Sequence, residues 1–153
     1  MRRPLQVKPD ERGYFVELWR EDWLPSFYHF DEHWDLPDVK QSMLSVSRPG
    51  VVRAWHAHVR SQDDFLVVIK GEAQIVYYDA GTQQFVEKRV NGETPELVYV
   101  PGTYWHGTQA LTETWTIYFV TQLYDYKNPD ELRLPPDHEF DGAGRFEWDT
   151  KKQ

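Results

Sequence analysis

Apolar residues gather in short runs along this chain, and turn-forming residues separate the runs. The segments 42–48 (SMLSVSR), 65–71 (FLVVIKG), 73–80 (AQIVYYDA), 84–90 (QFVEKRV), 96–102 (ELVYVPG) and 114–124 (TWTIYFVTQLY) are rich in Val, Ile, Tyr and Phe. Gly, Pro or Asn marks their ends, which is the pattern of strands rather than helices. Two of the runs flank DAGTQQ, so residues 73–90 predict a hairpin with Gly81 in its turn. The best helical stretch, REDWLPSFYHF at 20–30, carries Pro25 in its middle and predicts at most a short turn of helix. Several strands at this spacing predict an all-β sandwich or barrel with little helix. The tail 128–153 is rich in Pro, Gly and Asp and reads as irregular chain laid over the barrel.

Length sharpens this picture: 153 residues suffice for one core, so a single domain spanning 1–153 is expected. Aromatic residues make up 16% of the chain, with seven Trp, which suits a filled core and a pocket or interface needing one polar edge. A formal net charge of -8 argues against nucleic acid, because phosphate contacts require a basic patch. No cysteine is present, which excludes disulfides, a thiolate nucleophile and cysteine-held metal. Residues 1–15 carry basic charge without an apolar run behind it, and no run approaches the roughly 18 apolar residues of a membrane span. A soluble, cytoplasmic protein without membrane contact is expected.

The chemistry concentrates in two histidine segments. In GVVRAWHAHVRSQDDFLVVIKG, residues 50–71, His56 and His58 stand one residue apart and are followed by Asp63 and Asp64. On a strand, positions i and i+2 share a face, so both imidazoles are expected on one side. The second segment, VPGTYWHG, places Pro101 five residues before His106. The spacing leaves three roles open: metal ligand, general base, or strand histidine with satisfied hydrogen bonds.

Together the two segments resemble the paired motifs of the cupin superfamily, which implies a cupin-type jelly-roll barrel. The series DERGYFVELW (10–19), QSMLSVS (41–47), GVVRAWH (50–56), VPGTYWHG (100–107) and IYFVTQLYDYKNPDE (117–131) further resembles, in order, the dTDP-4-dehydrorhamnose 3,5-epimerase family. That resemblance implies an isomerase that epimerises C3, C5 or both of a 4-keto nucleotide sugar, with no cofactor and no metal. It puts His56 on the catalytic base and Tyr118 on the acid that returns a proton from the opposite side. Histidine's ordinary pKa suits such a base. Arg53, His58 and His106 are candidate donors to the negative charge that develops on O4. Arg12 and Arg53 fall on arginines that meet the nucleotide, a role suited to the guanidinium fork. Phe15, Glu17, Gln41 and Tyr124 fall on further positions of the substrate pocket.

Several positions depart from the family pattern. Met43 stands where a polar Asn is usual, and Ala54 and Trp55 replace Gly-Leu before the histidine. Asp64 falls near a pocket Lys, reversing the local charge. The family histidine leans on a C-terminal carboxylate, for which Asp149 and Asp141 are the candidates. WHAH at 55–58 also resembles the related dTDP-hexose 3,4-ketoisomerases, while a metal-dependent cupin centred on His56, His58 and His106 is a further alternative. The resemblance implies a homodimer, with the N-terminal segment 1–20 exchanged between partners. The aromatic stretch 21–38 would serve at that interface or as a lid over the pocket.

Overall fold

The apolar runs do become strands. The computed structural model describes residues 2–11, 13–20, 23, 38–60 and 62–149. Its strands are β1 (Arg2–Pro4), β2 (Val7–Asp10), β3 (Gly13–Val16), β4 (Gln41–Ser47), β5 (Val52–Ala57), β6 (Asp64–Lys70) and β7 (Glu72–Asp79), followed by β8 (Gln84–Asn91), β9 (Glu96–Val100), β10 (Trp105–Ala110), β11 (Thr114–Val120), β12 (Leu132–Arg133), β13 (Glu139–Phe140) and β14 (Gly144–Arg145). No α-helix occurs among the described residues, and most of the expected helical turn at 20–30 lies outside them. No helix there is long and apolar enough to cross a membrane.

Two five-stranded antiparallel sheets face each other, ordered β1-β9-β6-β11-β4 and β12-β5-β10-β7-β8. The hairpin predicted at 73–90 is β7–β8. Asp79 pairs with Gln84 across it, and the Asp79 carboxylate accepts the Gly81 N–H at 2.8 Å. Alternation along β6 sorts the core into layers. Leu66 and Val68 point between the sheets and meet Ala73, Ile75 and Val90 of the second sheet. Phe65 and Val67 point the other way and pack with Leu5, Leu97 and Tyr99 beneath Trp19 and Trp23 of the N-terminal segment. β6 is therefore buried on both faces, which explains its nearly continuous apolar run.

The outer face of the second sheet is sealed by the C-terminal tail, which is more ordered than its composition suggests. Trp55 lies against Phe140, with Phe85, Phe146 and Trp148 around it. Backbone groups of Trp55 and Leu134 exchange two hydrogen bonds of 2.9 Å, and β12 thereby extends the sheet beyond β5. The tail is pinned again where Tyr78 Oη donates to the Asp141 carbonyl at 2.6 Å and Gln109 brackets the Asp149 backbone.

Candidate active site

Between the sheets a cavity of about 730 Å³ opens, lined by β4, β5, β11, β12 and the loops beside them. His56 and Arg53 both reach it from β5, although they stand three positions apart and a regular strand would send them to opposite faces. A bulge reconciles the two. His106 pairs with His56 and Thr108 with Arg53, so β5 spends one residue more than β10 over the same span. From the opposite sheet β11 supplies Tyr118, which shares the cavity with His56 and lies within hydrogen-bonding reach of Thr108 on β10.

Behind His56 lies a buried polar cluster. The His56 and His106 rings stand 4.1 Å apart, and the His58 ring is 5.6 Å from His106. His106 Nδ1 donates to the Tyr104 carbonyl at 2.8 Å, and His58 Nδ1 donates to the Asp130 carbonyl at 2.6 Å. A carbonyl only accepts, so both Nδ1 atoms carry the proton and both Nε2 atoms turn inward. They converge on Asp64 Oδ2, at 3.3 Å from His106 and 3.6 Å from His58. Gln62 completes the cluster, its Nε2 donating to Asp64 Oδ1 at 2.9 Å and to His58 Nε2 at 3.2 Å. Asp130 holds the loop beneath, its Oδ1 accepting the N–H groups of Val59 and Arg60 at 2.9 and 2.7 Å.

These surroundings set the protonation states. Burial, reinforced by the neighbouring His106, lowers the pKa of His56 to about 3 against the opposing pull of Asp64, so the ring is neutral with its lone pair open, but a weaker base than the ordinary imidazole expected from its type. Burial also works to lower His58, but the Asp64 carboxylate and Asp130 outweigh it and raise its pKa above the ordinary histidine value. For Asp64, burial favours the neutral acid, yet the facing His106 and His58 imidazoles hold the carboxyl well below the usual carboxylate range. Burial raises the Tyr118 phenol above its ordinary value, which keeps its proton in place at neutral pH.

Of the residues singled out from the sequence, the structure brings His56, His58, Tyr118, Arg53 and Tyr124 to the cavity and sets His106 directly behind His56. Gln41 acts one step back, its Oε1 accepting the Tyr124 N–H at 2.9 Å. Arg12 lies outside the described residues, as does nearly all of the aromatic stretch 21–38. Phe15 and Glu17 do not line this cavity. Phe15 is exposed on the β2–β3 hairpin, and Glu17 meets Lys8 at 3.8 Å and Arg20 at 3.3 Å.

The C-terminal carboxylate expected beside the histidine is not supplied by Asp141 or Asp149. Asp141 sits at Tyr78, Asp149 sits at Gln109, and neither lines the cavity. The tail is held to the outer face of the second sheet by Trp55, which leaves the inner face to β6. The carboxylate among the histidines is Asp64, which sequence reasoning weighed as an acidic metal-ligand candidate and as a reversed charge, but not as the carboxylate partner of the catalytic histidine. Its signal was a carboxylate opening the apolar run FLVV, where a charge is retained only with partners. Gln62, Asp130, Glu131 and Arg133 also line the cavity and were missed. Arg133 pairs with His56 across β12 and β5 and bonds Glu131 at 2.7 Å.

Comparison with known proteins follows the same lines. Residues 3–141 match the family described as dTDP-4-dehydrorhamnose 3,5-epimerase. The chain is similar to the "Probable low-salt glycan biosynthesis epimerase Agl13" of Haloferax volcanii, at 39% identity over 88% of this chain and 85% of that protein. It is similar to the "Spore coat polysaccharide biosynthesis protein SpsL" of Bacillus subtilis, at 35% identity over 97% of this chain and 94% of that protein. Among solved structures, a dTDP-4-dehydrorhamnose 3,5-epimerase from Sulfolobus tokodaii superposes with a TM-score of 0.69 at 30% identity, covering 84% of this chain and 72% of that one.

Proposed function

Because this chain belongs to the dTDP-4-dehydrorhamnose 3,5-epimerase family, we propose that its cavity epimerises C3, C5 or both of a 4-keto sugar carried on a nucleoside diphosphate. The observation that carries this reading is the pairing of a neutral His56 and a protonated Tyr118, which enter one cavity from opposite sheets.

The chemistry runs as follows in this proposal. His56 takes the proton from the carbon beside the ketone, and the C–H electron pair forms the enolate double bond while charge moves to O4. Tyr118 gives its proton to the other face of that carbon, and the O4 electrons restore the ketone. The epimer leaves behind an imidazolium and a phenolate, which return to their starting states by proton exchange with water. Arg53 faces the same space and lowers the cost of negative charge within it. Arg53 and Arg133 also suit the diphosphate at the mouth. A rhamnose-type product and a cytoplasmic location belong to the same proposal.

The homodimer completes it. The β2–β3 hairpin projects exposed Tyr14 and Phe15, while Leu44 and Val46 are exposed on β4, the last strand of the first sheet. Docking the arm of one protomer on its partner would cover both apolar surfaces and carry Phe15, Glu17 and Arg12 toward a second cavity.

The test is proton NMR of dTDP-4-keto-6-deoxyglucose in deuterated water, with chelator-treated enzyme. The C3 or C5 signal should disappear, and the carbon that loses it is the one attacked. His56→Ala should slow exchange by about 10²–10⁴-fold while dTDP binding persists. Tyr118→Phe should still wash deuterium into the sugar but slow the appearance of epimer. If His56→Ala kept most of the exchange rate, His56 would not be the base.

A further inference from the structure

Reprotonation leaves negative charge where this cavity resists it. When Tyr118 gives up its proton, the O–H bond breaks and its electron pair stays on Oη, while the new C–H bond takes the enolate pair and O4 returns to a carbonyl. The phenolate left behind is disfavoured by burial first and by the Asp64 carboxylate as well. Thr108 and Arg53 act the other way. Both belong to one cross-strand pair, Thr108 on β10 opposite Arg53 on β5.

The strand geometry sets that pair at the acid. β10 runs in unbroken register against β7, so His106 and Thr108, two positions apart, share one face of the strand. The His106 ring stands 4.1 Å from that of His56, behind the base. At the next position of the same face, beyond the bulge in β5, the Thr108 hydroxyl reaches across to Tyr118 on the opposite sheet. Neighbouring positions of one strand face thus back the base and the acid in turn. Arg53 is steadied beside them, its Nε donating to Ser47 Oγ at 3.1 Å. A threonine hydroxyl can donate or accept, whereas a phenol that protonates carbon must aim its own hydrogen at the sugar. That leaves Thr108 to donate to an Oη lone pair, through a bond that strengthens as charge builds on the oxygen.

We propose that Thr108 is a positioning residue for the acid: from the opposite sheet it donates its hydroxyl to Tyr118 Oη, leaves the phenol hydrogen free for the sugar carbon, and so sets how often an enolate leaves as epimer rather than as starting sugar. The inference rests on the reading of Tyr118 as acid. An enolate that Tyr118 fails to protonate is recaptured by His56 on its original face. Once His56 has exchanged with deuterated water, the recaptured sugar carries deuterium. Thr108 therefore acts on the fate of the enolate and not on its formation.

Proton NMR in deuterated water reads the partition as the ratio of epimer to deuterated, unepimerised dTDP-4-keto-6-deoxyglucose. Being internal to one sample, the ratio does not depend on how much of a variant is folded. Thr108→Val keeps the shape and removes the hydroxyl, and it should lower the ratio about tenfold or more with KM little changed, while Thr108→Ser should restore it to within about threefold. A second measurement needs no substrate. In protein carrying carbon-13 at the tyrosine ring carbon that bears oxygen, the Tyr118 signal is identified by its loss in Tyr118→Phe. That signal should move in Thr108→Val and hold in Thr108→Ser. An unchanged ratio in Thr108→Val overturns the role in partition, and an unmoved Tyr118 signal overturns the contact. A ratio lowered equally by Val and Ser would make Thr108 a packing residue and overturn the proposal. Wild-type protein that neither exchanges nor epimerises this sugar would sink the epimerase reading and the partition with it, while the carbon signal would still decide the contact.

Discussion

At the scale of single residues, the protonation state of the proposed catalytic histidine is set by its surroundings rather than by its type. An unperturbed imidazole is half protonated near pH 6.5, whereas burial beside His106 keeps His56 neutral down to about pH 3. The sign of the stability effect follows. Between about pH 3 and 6.5 the unfolded chain binds the proton that folded His56 refuses, so stability falls as pH drops through that window. His58 works at the other end. Its raised pKa contributes stability below about pH 6.5 that is lost as pH rises through the folded value. Asp64, with its depressed pKa, contributes stability above the ordinary carboxylate range that is lost only in stronger acid. The interval from about pH 4.5 to 6 therefore isolates His56. Urea unfolding of chelator-treated protein should show a loss of about 1–2 kcal/mol across that interval, the upper figure being one proton's full linkage over about 1.5 pH units before allowance for water in the open cavity. His56→Gln should remove most of that loss. Equal slopes in the two proteins would mean that His56 is not held neutral by the fold.

At the scale of elements, the site depends on two departures from regular strand geometry. The bulge between the His106 and Thr108 pairings turns Arg53 and His56 to the same cavity, and His58, Gln62 and Asp63 pack closely against the VPG turn. His58 N donates to the Gly102 carbonyl at 2.6 Å, and Gly102 N donates to Asp63 Oδ1 at 3.0 Å. A Cβ at Gly102 would stand 1.5 Å from the Gln62 carbonyl oxygen, which is backbone and has little room to retreat. Gly102→Ala should therefore cost about 1–3 kcal/mol of stability. It should also slow deuterium exchange, because Gln62 is drawn away from Asp64 and His58. Stability and exchange measured on the same preparation check both, and a variant unchanged in both would show that the contact yields freely. Most strands were legible as short apolar runs with glycine or proline ends. The bulge was not, because an extra residue in one strand shows only against its partner, and VRAWHA names no partner.

At the scale of the whole molecule, both sheets are covered on their outer faces by chain from the two ends. Trp19 and Trp23 cover the first sheet, and Trp148 and Phe146 cover the second. That arrangement uses up much of the aromatic content that composition left unassigned between core and pocket. Among the large apolar side chains it leaves exposed are those of the β2–β3 arm and the β4 edge, with Tyr14 at 70% and Phe15 at 60% of full exposure. Phe15→Glu should leave the fold intact and convert the proposed dimer to monomer in sedimentation velocity. If Phe15 also reaches the partner's cavity, exchange activity falls at the same time. A Phe15→Glu protein that sediments unchanged would place the interface elsewhere.

The sequence by itself determined the all-β class, the β7–β8 hairpin and the two segments that supply the histidines, because these rest on local signals of strand propensity, turn residues and spacing. It also carried the family resemblance that put His56 and Tyr118 together. Only the tertiary structure decided which carboxylate meets the histidines. Asp64 lies eight residues beyond His56 and on a different sheet, and the packing of one sheet on the other rather than chain distance brings it to His106. Tertiary packing likewise turned the polar tail outward against Trp55, which removed Asp141 and Asp149 from the cavity. The physical reason is common to both: a buried charge is tolerated only where its partners converge, and convergence belongs to the folded sheets.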